Sequence, residues 1–371
     1  MKITLDRTPE QVELIKAMAS KNRDVAYEAQ TALAEFIGPV LAEVINTAPT
    51  VSNMFSALQF NSDESPSIPL DLYHDITDED YIQVWSQSVP GGLPTNQVAP
   101  SQSELKFTTY TLDSALSFDK RYASRSRLDV VSKTFTRMAQ EILLKQEKTS
   151  ATMIMSALAN ATTNTEKHVI RSAQAGRFLL SDLNKLFTKA KRINTAWNGG
   201  TPAERRGRGI TDILVSPEIV EEIRGLAYNP INTIGGAGGS PTAGDAVFNS
   251  AGIPEFYGVS IQEYNEMGNG QKWNTVFGTA ASGKTFDDNY SVQANSGTAQ
   301  GILGTEQVIV GVDLSRESMI RAIATDSESG EEFSLIADDQ FVTRQSKIGY
   351  YGSLEEGRMI IDDRVLLGLI V

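Results

Sequence analysis

Apolar residues recur at three- and four-residue spacing near the N-terminus and at two-residue spacing in the middle and at the C-terminus; these shifts in period divide the chain into segments. The first helix opens at Thr8, Pro9 and Gln11, where threonine caps, proline suits the first helical position and glutamine completes a capping box. A second, alanine-rich helix runs roughly from Asp24 to Ile37, with Leu33, Phe36 and Ile37 as its apolar end, and is expected to stop at Gly38 and Pro39. From Asn61 to Ser103 the pattern turns extended and irregular, with prolines at 66, 69, 90, 94 and 100, an acidic stretch from Asp75 to Asp80 and a short strand from Tyr81 to Ser88. A second extended run, Glu104 to Lys120, alternates Leu105, Phe107, Thr109 and Thr111 with their neighbours. Together the two runs read as a long β-ribbon. A lone two-stranded ribbon is marginal in water, so its support must come from outside it.

The longest helical signal spans about residues 126 to 160, without glycine or proline. Val131, Phe135, Met138, Ile142, Thr149, Met153 and Ala157 follow helical spacing, and Lys133, Arg137, Glu141 and Lys145 form the opposite face, with Glu141 placed to pair Lys145. Such a helix reaches on the order of 50 Å. Another amphipathic helix, Asp182 to Thr195, carries Leu183, Leu186, Phe187, Ala190 and Ile193 on one face. The run "ITDILVSPEIVEEIRGL" reads as a strand, a Ser216 cap with Pro217 at the first helical position, and a short helix. Residues 228 to 306 are punctuated by glycine, and from Gln307 onward "VIVGV", "SMIRAIATD", "EEFSLIADDQF", "KIGYYG" and "RMIIDDRVLLGLIV" read as strands. No repeat of 20 to 50 residues is present, and the whole is an α+β chain.

Composition narrows the function. With 371 residues, 40% apolar and 21% charged, the chain supports one large or two medium domains. Its 33 basic and 46 acidic residues leave a net charge of −13, which disfavours general attraction to nucleic acid or anionic membrane. The absence of cysteine excludes disulfides, thiolate metal sites and thiol nucleophiles. "MKITLDRTPEQ" lacks a signal-peptide core and "VLLGLIV" is too short to span a bilayer, so the expectation is a soluble protein made in the cytoplasm.

One motif invites chemistry. "GTAASGKT", Gly278 to Thr285, matches the phosphate-loop template, in which Lys284 reaches the outer phosphates and Thr285 holds magnesium. That template needs a strand before it and a helix after it. Lys272 to Phe277 places Trp273, Thr275 and Phe277 at period two, compatible with a strand, and Asp313 is available as the second acidic group. However, the first strand of such enzymes is nearly continuously apolar, whereas "KWNTVF" alternates. "FDDNYSVQANSGTAQG" has no helical stripe, and Asp287 and Asp288 would repel an anion. A turn-rich surface loop is therefore the preferred reading, with a nucleotide-binding enzyme as the alternative from another class. His74 and His168 are the only histidines and read as solvated or hydrogen-bonded rather than zinc-binding. Arg205, Arg206 and Arg208 lie in a glycine-rich loop that reads as solvated, with a phosphate contact or a contact to an acidic neighbouring subunit as the alternatives. No cofactor is implied.

The order of parts is more informative. A helical arm, an extended ribbon, a very long helix, a glycine-punctuated α/β region and a β-rich terminus together resemble the tailed-bacteriophage major capsid protein family, with the Hong Kong 97 fold. The stretches "TDILVSPEIVEEIRGL", "GIPEFYGVSIQEYNEM", "QVIVGVDLSRESMIRAI" and "RQSKIGYYGSLEEGRMIIDDRVLLGLIV" carry the likeness. By that resemblance residues 1–58 correspond to the N-terminal arm and 59–122 to the extended loop. Residues 123–210 and 307–371 then form the peripheral domain, with its spine helix at about 126–160, and 211–306 the axial domain.

The resemblance implies a non-enzymatic subunit that assembles into hexamers and pentamers of an icosahedral virion shell around DNA. Portal, scaffolding and decoration proteins would be its partners. No motif assigns a covalent lysine–asparagine crosslink, and the early capped helix leaves no room for a long N-terminal scaffolding segment. The same fold forms encapsulin compartments; the proline-rich loop and glycine-rich axial insertions favour the phage reading. Trp85, Phe107 and Tyr110 on the ribbon are the candidate subunit contacts, because an unsupported ribbon leaves apolar surface and strand edges for neighbours to cover.

Overall fold

The computed structural model of the chain describes residues 8–48, 51–69, 104–161, 168–172, 176–197, 209–228, 255–256, 258–284, 286–288, 306–326, 332–338 and 346–371. The chain divides into two units, one made of Met1–Ser67, Lys106–Ser150 and Met319–Met359, the other of Ile68–Leu105, Ala151–Ser318 and Ile360–Val371.

In the first unit, α1 (Pro9–Met18) begins at Thr8, whose hydroxyl accepts from the Gln11 N–H at 3.4 Å. The glutamine half of the box stays open, since Gln11 Oε1 has no partner among the described residues. Helix α2 (Arg23–Thr47) continues through Gly38 and Pro39, where the sequence predicts a stop. Leu33, Ile37, Leu41 and Ile45, four residues apart, are all buried, and that continuous stripe outweighs the roughly 3 kcal/mol of an interior proline. Pro39 and Glu35 are both exposed, so the carbonyl deprived of its N–H partner meets water.

The first unit's sheet is ordered β1 (Ser56–Asn61), β11 (Met319–Thr325), β13 (Lys347–Ile360), β12 (Ser334–Asp338), with β4 (Thr109–Asp119) also paired to β13. Strand β1 runs parallel to β11, and β13 is antiparallel to both β12 and β4. The β4–β13 ladder runs from Lys347↔Asp119 to Gly357↔Thr109. It supplies within the chain the support that the ribbon's second run needs. The inward positions of β4 are Tyr110, Leu112, Leu116 and Phe118, facing Glu356, Leu354, Tyr350 and Ile348. This is the opposite parity to Thr109 and Thr111, because the strand breaks at Phe107 and Thr108 before resuming. Strands β2 (Ser67–Pro69) and β3 (Glu104–Lys106) form a separate two-stranded sheet. Trp85, the expected strand Tyr81–Ser88 and the acidic stretch lie outside the described residues.

Beyond β4 comes the short α3 (Lys120–Ser124), then α4 (Leu128–Asn160), which has the length the sequence predicts. Val131, Phe135, Met138 and Ile142 are buried, and Lys133, Arg137, Glu141 and Lys145 are exposed. Further along, Gln146, Ser150, Ile154 and Leu158 point inward, while Thr149, Met153 and Ala157 are only partly covered. A four-residue spacing rotates slowly around a 3.6-residue helix, and the buried side rotates with it. Tyr350 closes the first core, edge-on to Phe135 at 5.3 Å and stacked on Phe118 at 6.3 Å.

The second unit is built on a seven-stranded sheet. Its order is β7 (Glu255–Phe256), β8 (Val259–Glu263), β6 (Asp212–Val215), β10 (Val308–Val312), β14 (Leu366–Ile370), β5 (Val169–Arg171) and β9 (Asp287–Asp288). Every residue of β10 and β14 is buried, as central strands require. The stripe Leu183, Leu186, Ala190 and Ile193 of α5 (Leu180–Trp197) and Ile219, Val220 and Ile223 of α6 (Pro217–Tyr228) share a core with that sheet. Ser216 caps α6, its Oγ accepting from the Ile219 N–H at 3.3 Å. Among the described residues no helix is long and apolar enough to cross a membrane.

Gly352 lies on the inward side of β13, where a Cβ would come 2.6 Å from Cζ of the buried Phe333 and press on Met138 Cε. Gly352→Ala is expected to lower the unfolding free energy of the protein by about 1–3 kcal/mol through overpacking. A urea titration reads this as a lower midpoint at unchanged slope.

Candidate functional site

The phosphate-loop lookalike is built in reverse. Lys272–Ala280 is a helix, α7, and not the strand compatible with its alternation, because Trp273 and Phe277 are also four residues apart and both are buried. A six-residue run cannot separate the two periods. Gly278 to Ala280 are therefore the last turn of a helix, Gly283 takes the left-handed turn at φ +78°, and the short strand β9 follows. A phosphate here would face a helix C-terminus, whose carbonyls carry partial negative charge, instead of an N-terminus. Lys284 already has partners: its Nζ donates to the Ala159 carbonyl at 3.3 Å and to Asn160 Oδ1, placing a cation at the C-terminus of α4. Thr285 is outside the described residues. Asp313 accepts from the Ser315 N–H at 3.1 Å and starts a 3-10 turn.

Other candidates also hold structure. His168 is fully buried, with Nδ1 3.1 Å from the carbonyl oxygens of Asp363 and Leu366, the hydrogen-bonded role the sequence suggests. His74, Arg205, Arg206 and Arg208 lie outside the described residues. No grouping of His, Cys, Asp and Glu among the described residues could hold a metal ion. Phe107 is buried, its N–H donating to the Pro66 carbonyl at 3.0 Å, and Tyr110 is half-buried.

Tyr110 belongs to a constellation that the sequence does not announce. Along the inward side of β13, Ile348, Tyr350 and Leu354 give way to Glu356 and Arg358, both buried. Glu356 accepts from Arg321 Nε at 3.0 Å, Arg358 Nη2 at 3.1 Å, Gln146 Nε2 at 3.1 Å and the Tyr110 hydroxyl at 2.9 Å, besides pairing with Arg358 Nη1. Arg358 also reaches Ser52 Oγ at 2.8 Å. Arg321 extends to Asn46, which with Gln59 holds Glu332. Burial pushes the Arg321 guanidinium below its usual range against the pull of Glu356. Both carboxylate oxygens of Glu356 are occupied by donors, and the cluster clamps strands and helices together.

The remaining notable feature is exposed apolar surface. On α2, Val25, Tyr27, Phe36 and Val40 are exposed, Phe36 at 57% beside a groove of about 420 Å³ lined by Leu14, Ile15, Leu33 and Leu128. On the sheet, Ile336 and Tyr351 are exposed and directly opposed across β12 and β13. Sequence reading places Phe36 with Leu33 and Ile37 at the apolar end of the helix; in the structure Leu33 and Ile37 are buried and Phe36 is exposed.

Two measurements test the clamp. Glu356→Gln keeps the shape but leaves two buried guanidiniums without that counter-charge, and should cost the protein about 3–5 kcal/mol in denaturant unfolding; a loss below about 1 kcal/mol would remove the cluster from this role. Burial above all, with Glu356 adding and Arg358 opposing, pushes the Tyr110 phenol up to about 12. The folded chain then keeps a proton that the unfolded chain releases, so this stabilisation is complete below pH about 10 and is lost as pH rises to about 12. Burial raises the Tyr350 phenol in the same direction, so the comparison must be by difference. The stability gap between the unmodified protein and Tyr110→Phe should narrow across that window, and a constant gap would refute the assignment.

No family model matches the sequence, and no curated protein matches it. Solved structures do. The capsid of a native GTA particle aligns at a TM-score of 0.50 and 12% identity, over 87% of this chain and 91% of that chain. The capsid of the cyanophage P-SCSP1u aligns at 0.45 and 12% identity over 85% and 86%. The holo-SrpI encapsulin complex from Synechococcus elongatus PCC 7942 aligns at 0.41 and 12% identity over 72% and 76%. By its match to the GTA capsid, this α+β chain has the Hong Kong 97 fold.

Proposed function

We propose that this protein is the major capsid protein of a tailed bacteriophage, a structural subunit without catalytic residues or cofactors. Copies of it assemble into hexamers and pentamers of an icosahedral shell that encloses DNA. The observation that carries this reading is the fold shared with the GTA capsid subunit over 87% of the chain. The proposed parts are an N-terminal arm (1–58), an extended loop (59–122), a peripheral domain (123–210 and 307–371) and an axial domain (211–306).

The exposed apolar residues of α2 and the Ile336–Tyr351 pair support assembly, because patches of this kind find cover in contacts between copies that close by symmetry. Trp85, Phe107 and Tyr110 are assigned to the ribbon side of such contacts. Phe107 is only 6% exposed and acts there mainly by anchoring the ribbon. The proline-rich stretch 61–103 and the glycine-rich stretch 228–254 favour a phage shell over an enzyme compartment. Portal, scaffolding and decoration proteins complete the proposed particle, a virion assembled in the host cytoplasm.

Expression of the chain with its neighbouring gene products, followed by electron microscopy and nuclease treatment, is expected to show icosahedral particles holding nuclease-resistant DNA. Particles filled with protein cargo and no DNA would establish an encapsulin-type compartment instead. A monomer unchanged by concentration or by helper proteins would overturn both.

A further inference from the structure

The chain is acidic, but one of its surfaces is not. Between Lys120 and Lys148 stand eight basic side chains and three acidic ones, a local excess of +5 in a chain of net charge −13. Helix α4 sorts them. At about 100° per residue, Lys133, Arg137 and Lys145 fall within one sector of about 120° and span about 18 Å of the axis, with Lys148 continuing the row. Lys133, Arg137 and Lys145 are all exposed, as are Arg125 and Arg127 just ahead of the helix. None of these five pairs with a carboxylate among the described residues, and the expected Glu141–Lys145 ion pair does not form. Glu141 is the sole acid in that sector.

The geometry points to a phosphodiester-binding face on α4, along which Lys133, Arg137 and Lys145 contact the backbone of double-stranded nucleic acid, with Arg125 and Arg127 extending the contact. This rests on the reading of the chain as a DNA-enclosing shell. Cations spaced along one sector of a helix, with the intervening Phe135 buried on another side, match a polymer of repeating charge and read no base sequence. The acidic remainder of the chain repels the same polymer, which keeps the contact weak and dependent on salt. Leu144, 58% exposed within the row, is the feature that a protein occupant would use instead.

The test compares the full-length unmodified chain with Lys133→Gln/Arg137→Gln/Lys145→Gln. A control, Lys16→Gln/Lys21→Gln/Lys272→Gln, removes the same charge from exposed positions elsewhere. Binding of the unassembled chain to a random-sequence 30-base-pair duplex is followed by fluorescence anisotropy between about 50 and 200 mM salt, a range over which cation–phosphate attraction weakens strongly. Each cation removed from the phosphate backbone should lower the log–log salt slope by about 0.9, so the face variant should fall by nearly 3 and the control should keep its slope. Equal slopes in the two variants would overturn the proposal. So would a face variant that keeps its slope but no longer assembles, which would make this face a contact between copies. Failure of the unmodified chain to form shells would sink the shell reading, while the duplex titration would still decide what the face binds.

Discussion

The first unit depends on a carboxylate that has no access to water. Glu356 collects two guanidiniums, an amide and a phenol, and through them joins α4, β4, β11 and β13, with Ser52 and Asn46 connected through the arginines. A buried charge is costly unless every lone pair is used, so the cluster tolerates little displacement of any element that contributes to it. Apolar contacts allow repacking over a range of geometries, whereas the directional bonds around Glu356 select one register of β13 against β4. The same strand face supplies both kinds of adhesion, apolar from Ile348 to Leu354 and ionic from Glu356 onward.

That division explains what the sequence discloses. Elements defined by sustained periodicity are legible: α4 over its length, the stripe of α5, the Ser216 cap and the closing strands all follow from spacing and cap chemistry. The Glu356 cluster is not legible, because Arg321, Glu356 and Arg358 have the composition of a solvated surface and only the meeting of distant segments buries them. Helix α2 fails for a related reason. Gly38 and Pro39 are strong local signals to stop, and they yield to Leu41 and Ile45, whose value lies in a core assembled elsewhere in the chain.

The lookalike loop shows the limit of a motif without its setting. All eight letters of the template are present, yet the chain passes through them from helix to strand, whereas phosphate binding needs strand to helix. Lys284 carries the charge the template asks for and spends it on the carbonyl end of α4. The alternation of Trp273, Thr275 and Phe277 gives no warning, because with only one and a half turns of chain the residues at positions one and five satisfy both periods.

The ribbon changes the argument about assembly. Viewed as sequence, Glu104 to Lys120 is a strand in search of a partner, and neighbouring copies are the natural supply. In the folded chain β4 is already paired along its whole length with β13, and its inward side chains are covered by its own subunit. In the proposed shell, association would draw on apolar side chains that remain uncovered after folding, which among the described residues include those exposed on α2, Tyr122, Leu144 and the Ile336–Tyr351 pair. The described core of the first unit and the Glu356 cluster are formed by residues of one chain. In the proposed shell its association surfaces would be separate patches, and such contacts would be individually weak and decisive only where many close together around a symmetry axis.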